Sequence, residues 1–137
     1  MKKKFATIFS SLALVAMLIA TLCACSTYGS VKSKYESNGW TENEDCVKLQ
    51  ETLLKNALGE DYAQTCKIHA LAKNGSILNY VIILEFNSTD DMNKKIDESE
   101  TLKGMIKDVQ NSDFVNKNCI LLFSMTNEGR EIFKNSK

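Results

Sequence analysis

Cys66-Lys67-Ile68-His69-Ala70-Leu71-Ala72-Lys73-Asn74-Gly75-Ser76-Ile77-Leu78-Asn79-Tyr80-Val81-Ile82-Ile83-Leu84-Glu85-Phe86 is the stretch that decides the fold. Its first half alternates: Cys66, Ile68, Ala70 and Ala72 fall on one side, Lys67, His69, Leu71 and Lys73 on the other. That period of two marks a half-buried strand. Asn74-Gly75 favours positive φ at both central positions, as a type I′ turn requires, and so predicts a hairpin. The second half, from Ile77 to Phe86, places Leu78, Tyr80, Ile82, Leu84 and Phe86 on one face. Ile77, Val81 and Ile83 make most of the other face apolar. A strand apolar on both faces is a central strand covered on both sides.

Outward from the hairpin, both flanks read as helices. On the N-terminal side Asn38-Gly39 marks a turn. Thr41 with Glu44 three residues later has the form of a capping box. Val47, Leu54 and Leu58 share a helical stripe with Cys46, Leu53 and Ala57, and Gly59 stops it. Trp40, just before the cap, reads as a lid on the core. On the C-terminal side Ser88 to Asp91 predict an N-cap with acids in the first turn. Met92, Ile96, Ser99, Leu102, Ile106 and Val109 advance by three or four, which predicts one helix of about 20 residues bent at Gly104. A third strand is expected over Val115 to Ser124, with Cys119, Leu121 and Phe123 on one face and Ile120 and Leu122 on the other. A short helix from Thr126 carries Ile132 and Phe133. The expected order is α-β-β-α-β-α. This is an α+β fold: a small three-stranded mixed sheet with helices packed on it, its second and third strands parallel through a right-handed crossover if they are neighbours.

The chain begins differently. Lys2, Lys3 and Lys4 precede a charge-free apolar run from Phe5 to Leu22, the layout of a secretory signal peptide. The run also reaches the lower limit for spanning a bilayer, about 17–20 residues. Leu22-Cys23-Ala24-Cys25 resembles the bacterial lipobox: Leu three residues before the cleavage point, a small residue one before it, and Cys at it. The resemblance implies that Cys25 becomes the first residue of the mature chain and carries a diacylglycerol thioether, while Cys23 leaves with the signal. Two acyl chains suffice for stable anchoring where one does not. With the apolar hairpin and a last strand leading into Ser124-Met125-Thr126 and a helix, the whole pattern resembles small lipoproteins of Gram-positive bacteria. These often have Gly-Thr at that last junction, where this chain departs with Met125-Thr126. The resemblance implies a lipid-anchored location on the outer face of the cell membrane and names no activity. The expected organisation is a signal peptide over 1–24, a lipidated N-terminus and tether over 25–38, and one α+β domain over 39–137. The Ser-, Lys- and Asn-rich stretch from Ser26 to Asn38 supplies the tether, with room for a short strand near Tyr35.

Composition narrows the function classes. From Cys25 onward the chain has 113 residues, one domain's worth. Removing Lys2, Lys3 and Lys4 from 17 basic residues leaves 14 against 17 acidic, a net charge of −3 with the charges interspersed. With Arg130 the sole arginine, no basic patch speaks for nucleic acid. Cys46, Cys66 and Cys119 read as buried thiols. One disulfide would leave a thiol over, and the spacings of 20 and 53 residues match no compact zinc pair. His69, the single histidine, is expected at a surface strand position. Glu85, in an otherwise apolar strand, is expected to be a strand-end charge near solvent. Asp90 and Asp91 read as capping acids. No phosphate loop, nucleophile elbow, zinc-protease helix or EF-hand is present, so no cofactor, metal or catalytic residue is assigned. Two classes remain: a non-catalytic binding module for an envelope protein or small ligand, or a small extracytoplasmic enzyme using a Cys or carboxylate. A cleft holding His69 or Glu85 beside a thiol would favour the enzyme.

Overall fold

A computed structural model describes residues 26–137. The predicted signal segment and the lipobox cysteine Cys25 lie outside the described residues. The centre is a five-stranded sheet of β1 (Trp40–Glu42), β2 (Lys67–Lys73), β3 (Tyr80–Glu85), β4 (Val115–Asn116) and β5 (Cys119–Ser124), in the spatial order β1-β2-β3-β5-β4. Every neighbouring pair is antiparallel. Helices α1 (Thr27–Ser37) and α7 (Asn127–Lys134) pack on one face. Helices α2 (Asp45–Leu49), α3 (Glu51–Leu58), α4 (Tyr62–Thr65), α5 (Thr89–Glu98) and α6 (Glu100–Met105) pack on the other.

Two cores result, and β3 belongs to both. Tyr80, Ile82, Leu84 and Phe86 join the larger core with Leu54, Leu58, Met92, Ile96 and Leu102. Val81 and Ile83 join the second with Val31, Tyr35, Trp40, Leu71 and Phe133. The two-sided apolar pattern of β3 therefore marks a central strand, as expected. Asn74 and Gly75 have φ of 53° and 71°, and Ser76 N–H closes the turn on Lys73 C=O at 3.0 Å. Two residues do not complete the connection, however. Asn79 N–H folds back on Ser76 C=O, so Ile77 and Leu78 stand out at 54% and 76% exposure. The second strand starts at Tyr80 rather than Ile77.

The α+β class holds, but the three-stranded mixed sheet and the α-β-β-α-β-α order do not. The expected tether is helix α1, capped by Ser26, whose hydroxyl accepts from Gly29 N–H at 3.0 Å. Tyr28, Val31 and Tyr35 lie three and four apart and are buried. This single stripe is enough to hold a helix against the sheet although the segment is polar elsewhere. Thr41 is not a cap. Trp40, Thr41 and Glu42 pair with Lys73, Ala72 and Leu71 as an edge strand, because the β2 ladder satisfies their backbone better than a helix start would. The first predicted helix is broken at Gln50 into α2 and α3. The second is broken at Ser99, not bent at Gly104. Ser99 takes extended angles and its hydroxyl accepts from Leu102 N–H, capping α6, a local bond that competes with helix continuation.

The last strand differs most. Lys117, with φ of 52°, turns the chain so that Val115–Asn116 folds back on Cys119–Ser124 as a hairpin. β5 then runs antiparallel to β3, so the expected parallel crossover is not formed. A bulge opposite Ile82 and Ile83 shifts the register. It aligns Phe123 with Ile82 and moves it to the larger core, against the alternation expected from Cys119 and Leu121.

Candidate binding site

The second face of the sheet ends in a polar cluster built by three elements. β2 contributes His69, β3 contributes Glu85, and the first turn of α1 lays Tyr28 over His69. The Tyr28 ring stacks on the imidazole with centroids 3.5 Å apart and planes at 10°. His69 Nε2 lies 2.9 Å from Glu85 Oε1. The Tyr28 hydroxyl donates to Glu42 Oε1 on β1 at 2.8 Å, and Lys32 Nζ stands 3.4 Å from the same oxygen. The hydrogen bond from Tyr28, with Lys32 beside it, holds the Glu42 carboxyl below the usual range against its partial desolvation. Burial, then Glu42, pushes the Tyr28 hydroxyl upward, so it stays a donor.

His69 and Glu85 are thus partnered and half-covered, not a bare surface position and a free strand-end charge. The sequence pattern could not show this, because the covering side chain comes from the segment read as a tether. A stripe of Tyr28, Val31 and Tyr35 was the signal available for it. Asp90 and Asp91 do lie in the first turn of α5, where Ser88 caps the helix by accepting from Asp91 N–H.

The thiols are poorly suited to nucleophilic work. Cys46, Cys66 and Cys119 are free. Cys119 sits opposite Glu85 in register and is fully buried. Burial, then the nearby Glu85 charge, pushes its thiol up to about 12. Burial also pushes Cys66 up to about 12, and Cys46 is raised too. A nucleophilic cysteine needs the opposite environment, one that favours thiolate. Among the described residues no group of His, Cys, Asp and Glu is arranged to hold a metal ion.

These raised values predict alkaline sensitivity. The folded state holds the Cys119 and Cys66 protons more tightly than the unfolded chain, whose thiols titrate near 9.0. Their contribution is therefore complete below pH 9 and is lost as pH climbs towards 12, at no more than about 1.4 kcal/mol per pH unit per thiol. Urea unfolding midpoints at pH 8 and 10.5 should fall more steeply for the wild type than for the Cys66→Ala/Cys119→Ala protein. Parallel declines would contradict the assignment.

Glu42 and Lys32 connect this cluster to a groove of about 390 Å³ lined by Lys32, Glu36, Gly39, Trp40, Thr41 and Glu42. It runs between α1 and the outer edge of β1, and its volume falls within the range of ligand pockets. Trp40 lines it, with its indole fully buried and its Nε1 without a hydrogen-bond partner among the described residues. Smaller hollows of about 200 and 260 Å³ lie near Arg130 and near Asn111. His69, Glu85 and Cys119 line none of these three. Compared with protein-family models, curated proteins and solved structures, the chain matches none.

Proposed function

We propose that the chain is a lipid-anchored extracytoplasmic binding domain. Residues 1–24 are its signal peptide, Cys25 its lipidated first residue, and a membrane its partner through that lipid. The outer face of the cell membrane is its location, and an envelope protein or small ligand is what it binds. The observation that carries this reading is the Leu22-Cys23-Ala24-Cys25 lipobox directly followed by structure: Ser26, the next residue, already caps α1. Among the described residues, the first side chain to enter a core is Tyr28. With α1 in place of a tether, the domain rides directly on the bilayer. No helix among the described residues is long and apolar enough to cross a membrane, and the diacylglycerol supplies the attachment instead.

Binding rather than catalysis is supported by the chemistry of the groups present. The three thiols are held protonated, and the imidazole is stacked under Tyr28 and tied to Glu85. The groove beside β1 offers concavity without needing a perturbed acid or base. One observation favours the enzyme reading: the His69–Glu85 pair has the separation of a base and its orienting carboxylate.

Metabolic labelling with a fatty-acid probe tests the anchor. Wild type should incorporate the probe and Cys25→Ser should lose essentially all of it, leaving an unprocessed precursor. Equal labelling of the two would overturn lipidation. Turnover of a substrate by the purified protein, abolished in folded His69→Ala or Glu85→Gln, would overturn binding in favour of catalysis.

A further inference from the structure

We propose that the hollow beside Arg130 is a binding site for a small organic monocarboxylate, with Arg130 taking the carboxylate and the apolar walls taking the rest of the molecule. This names a ligand class for the binding-domain reading and rests on that reading, but not on lipid attachment.

The hollow forms where one edge of the sheet is incomplete. β4 has two residues and reaches β5 only as far as Leu121, whose N–H donates to Phe114 C=O at 2.8 Å. β4 is the last strand on that side, so Leu122, Phe123 and Ser124 run on with no strand outside them. Phe114 and, from α7, Arg130 complete the lining of a space of about 200 Å³. That is below the roughly 300–1,000 Å³ of sites for drug-sized ligands. It admits a single-ring acid and not a nucleotide. The walls are set by the fold. Leu121 belongs to the second core and Leu122 to the larger one, while Phe114 packs against both.

Arg130, the sole arginine of the chain, is the only charged side chain in that lining. Its guanidinium carbon lies 5.9 Å from the centre of the Phe114 ring. A contact of this kind engages the face of the cation and uses none of its N–H donors in a hydrogen bond. Arg130 has no ion pair and no side-chain hydrogen bond among the described residues. Three and four residues away along the helix stand Thr126, Asn127, Phe133 and Lys134, none of them acidic. The acids nearby are engaged or face elsewhere: Glu128 pairs with Lys73, Asp113 lies 3.9 Å from Lys134, and Glu131 does not line the hollow. The lining therefore holds one uncompensated positive charge beside an apolar wall. A guanidinium is weakly hydrated, and its planar fork matches a carboxylate through two parallel bonds. Ser124 adds no donor, because its hydroxyl already donates to Thr126 C=O at 2.7 Å. One fork satisfies a monoanion. A phosphate dianion, with three acceptor oxygens, asks for more donors than this lining supplies.

The test uses the full chain, ¹⁵N-labelled, in detergent micelles, with benzoate as the probe. Benzoate should shift the amide signals of Leu122 and Ser124 and the Nε–H signal of Arg130. Benzamide has the same shape without the charge and controls for uptake by the micelle. It should bind about tenfold more weakly than benzoate, and so should benzoate to Arg130→Gln, because each loses the charge-assisted pair. Arg130 is exposed on α7, and an otherwise unchanged amide spectrum of Arg130→Gln verifies its fold. Equal binding of benzamide, equal binding by Arg130→Gln, or no shift at these residues up to about 20 mM benzoate would overturn the site. Inorganic phosphate bound as tightly as benzoate would overturn the monocarboxylate class. Acetyl-Ala-Phe with a free carboxylate, bound far more tightly than benzoate, would give the hollow to a peptide C-terminus and overturn the small-molecule assignment. The binding-domain reading fails separately, by the turnover result given above.

Discussion

Gly129→Ala should destabilise the domain by about 1–3 kcal/mol, although alanine is the better helix former by about 1 kcal/mol. Gly129 lies inside α7, where that helix crosses the sheet. A Cβ placed there meets Ser124 Oγ at 2.6 Å, Val81 Cγ1 at 2.7 Å and Trp40 Cη2 at 3.2 Å. Ser124 can yield by rotating, but its hydroxyl then gives up its bond to Thr126 C=O at 2.7 Å. Val81 is fully buried on the central strand and its branched side chain has little rotamer freedom. The helix must therefore move outward, and the Tyr35 hydroxyl bond to Gly129 C=O, 2.6 Å and buried, moves with it. Overpacking thus exceeds the gain in propensity. Gly129→Val, larger and β-branched, should cost more than the alanine variant. Gly104→Ala is the control: it also lies in a helix, with nothing within 4 Å of the added carbon, and should be neutral or stabilising by up to about 1 kcal/mol. Denaturant midpoints measure all three. A Gly129→Ala protein as stable as wild type would mean that α7 does not sit this close to the sheet.

Trp40→Ala should cost about 3–5 kcal/mol, the range for truncating a large buried aromatic. The indole is fully buried, meets Tyr35 edge-on at 5.3 Å and 71°, and underlies Gly129. Its removal opens a void beneath both α1 and α7. Trp40→Phe should be far milder. The smaller ring forfeits some contact, but it also removes the buried, unpartnered Nε1–H, whose desolvation costs about 1–3 kcal/mol in the wild type. Equal losses in the two variants would show that Nε1 is satisfied in solution or that volume alone governs the site.

What the sequence revealed depended on the range of the interaction. The β2–β3 pairing, the Asn74-Gly75 turn, the double burial of β3 and the caps at Ser88 and Thr126 are carried by neighbouring residues, and all were legible. The edge strands were not. Trp40–Glu42 and Val115–Asn116 are three and two residues long, too short for a period, and form because β2 and β5 offer them ladders. The Thr41–Glu44 cap signal lost to that non-local pairing. The β4–β5 turn uses Lys117 at positive φ, where a glycine would have announced it. The candidate site was half legible. His69 and Glu85 stood out as polar residues in apolar strands, but their meeting needs the diagonal register of β2 on β3. Tyr28, which covers His69, belonged to a segment whose polar majority concealed one buried stripe.

The joining of α1 to α7 bears on how the chain reaches its native state. The Tyr35–Gly129 bond spans 94 residues, and the second core draws on α1, on the central strands and on Phe133 near the other end. Contacts of such long range come at the cost of closing most of the chain into a loop, and proteins rich in them fold slowly. A chain still emerging from a ribosome or a translocation channel can assemble the β2–β3 hairpin with α2 and α3. Tyr35 and Trp40 can then pack on each other and on the hairpin, but Gly129 and Phe133, which close their core, are missing until the final dozen residues arrive. The domain is thus sealed by its last helix, and cotranslational folding can complete only one of its two cores in advance.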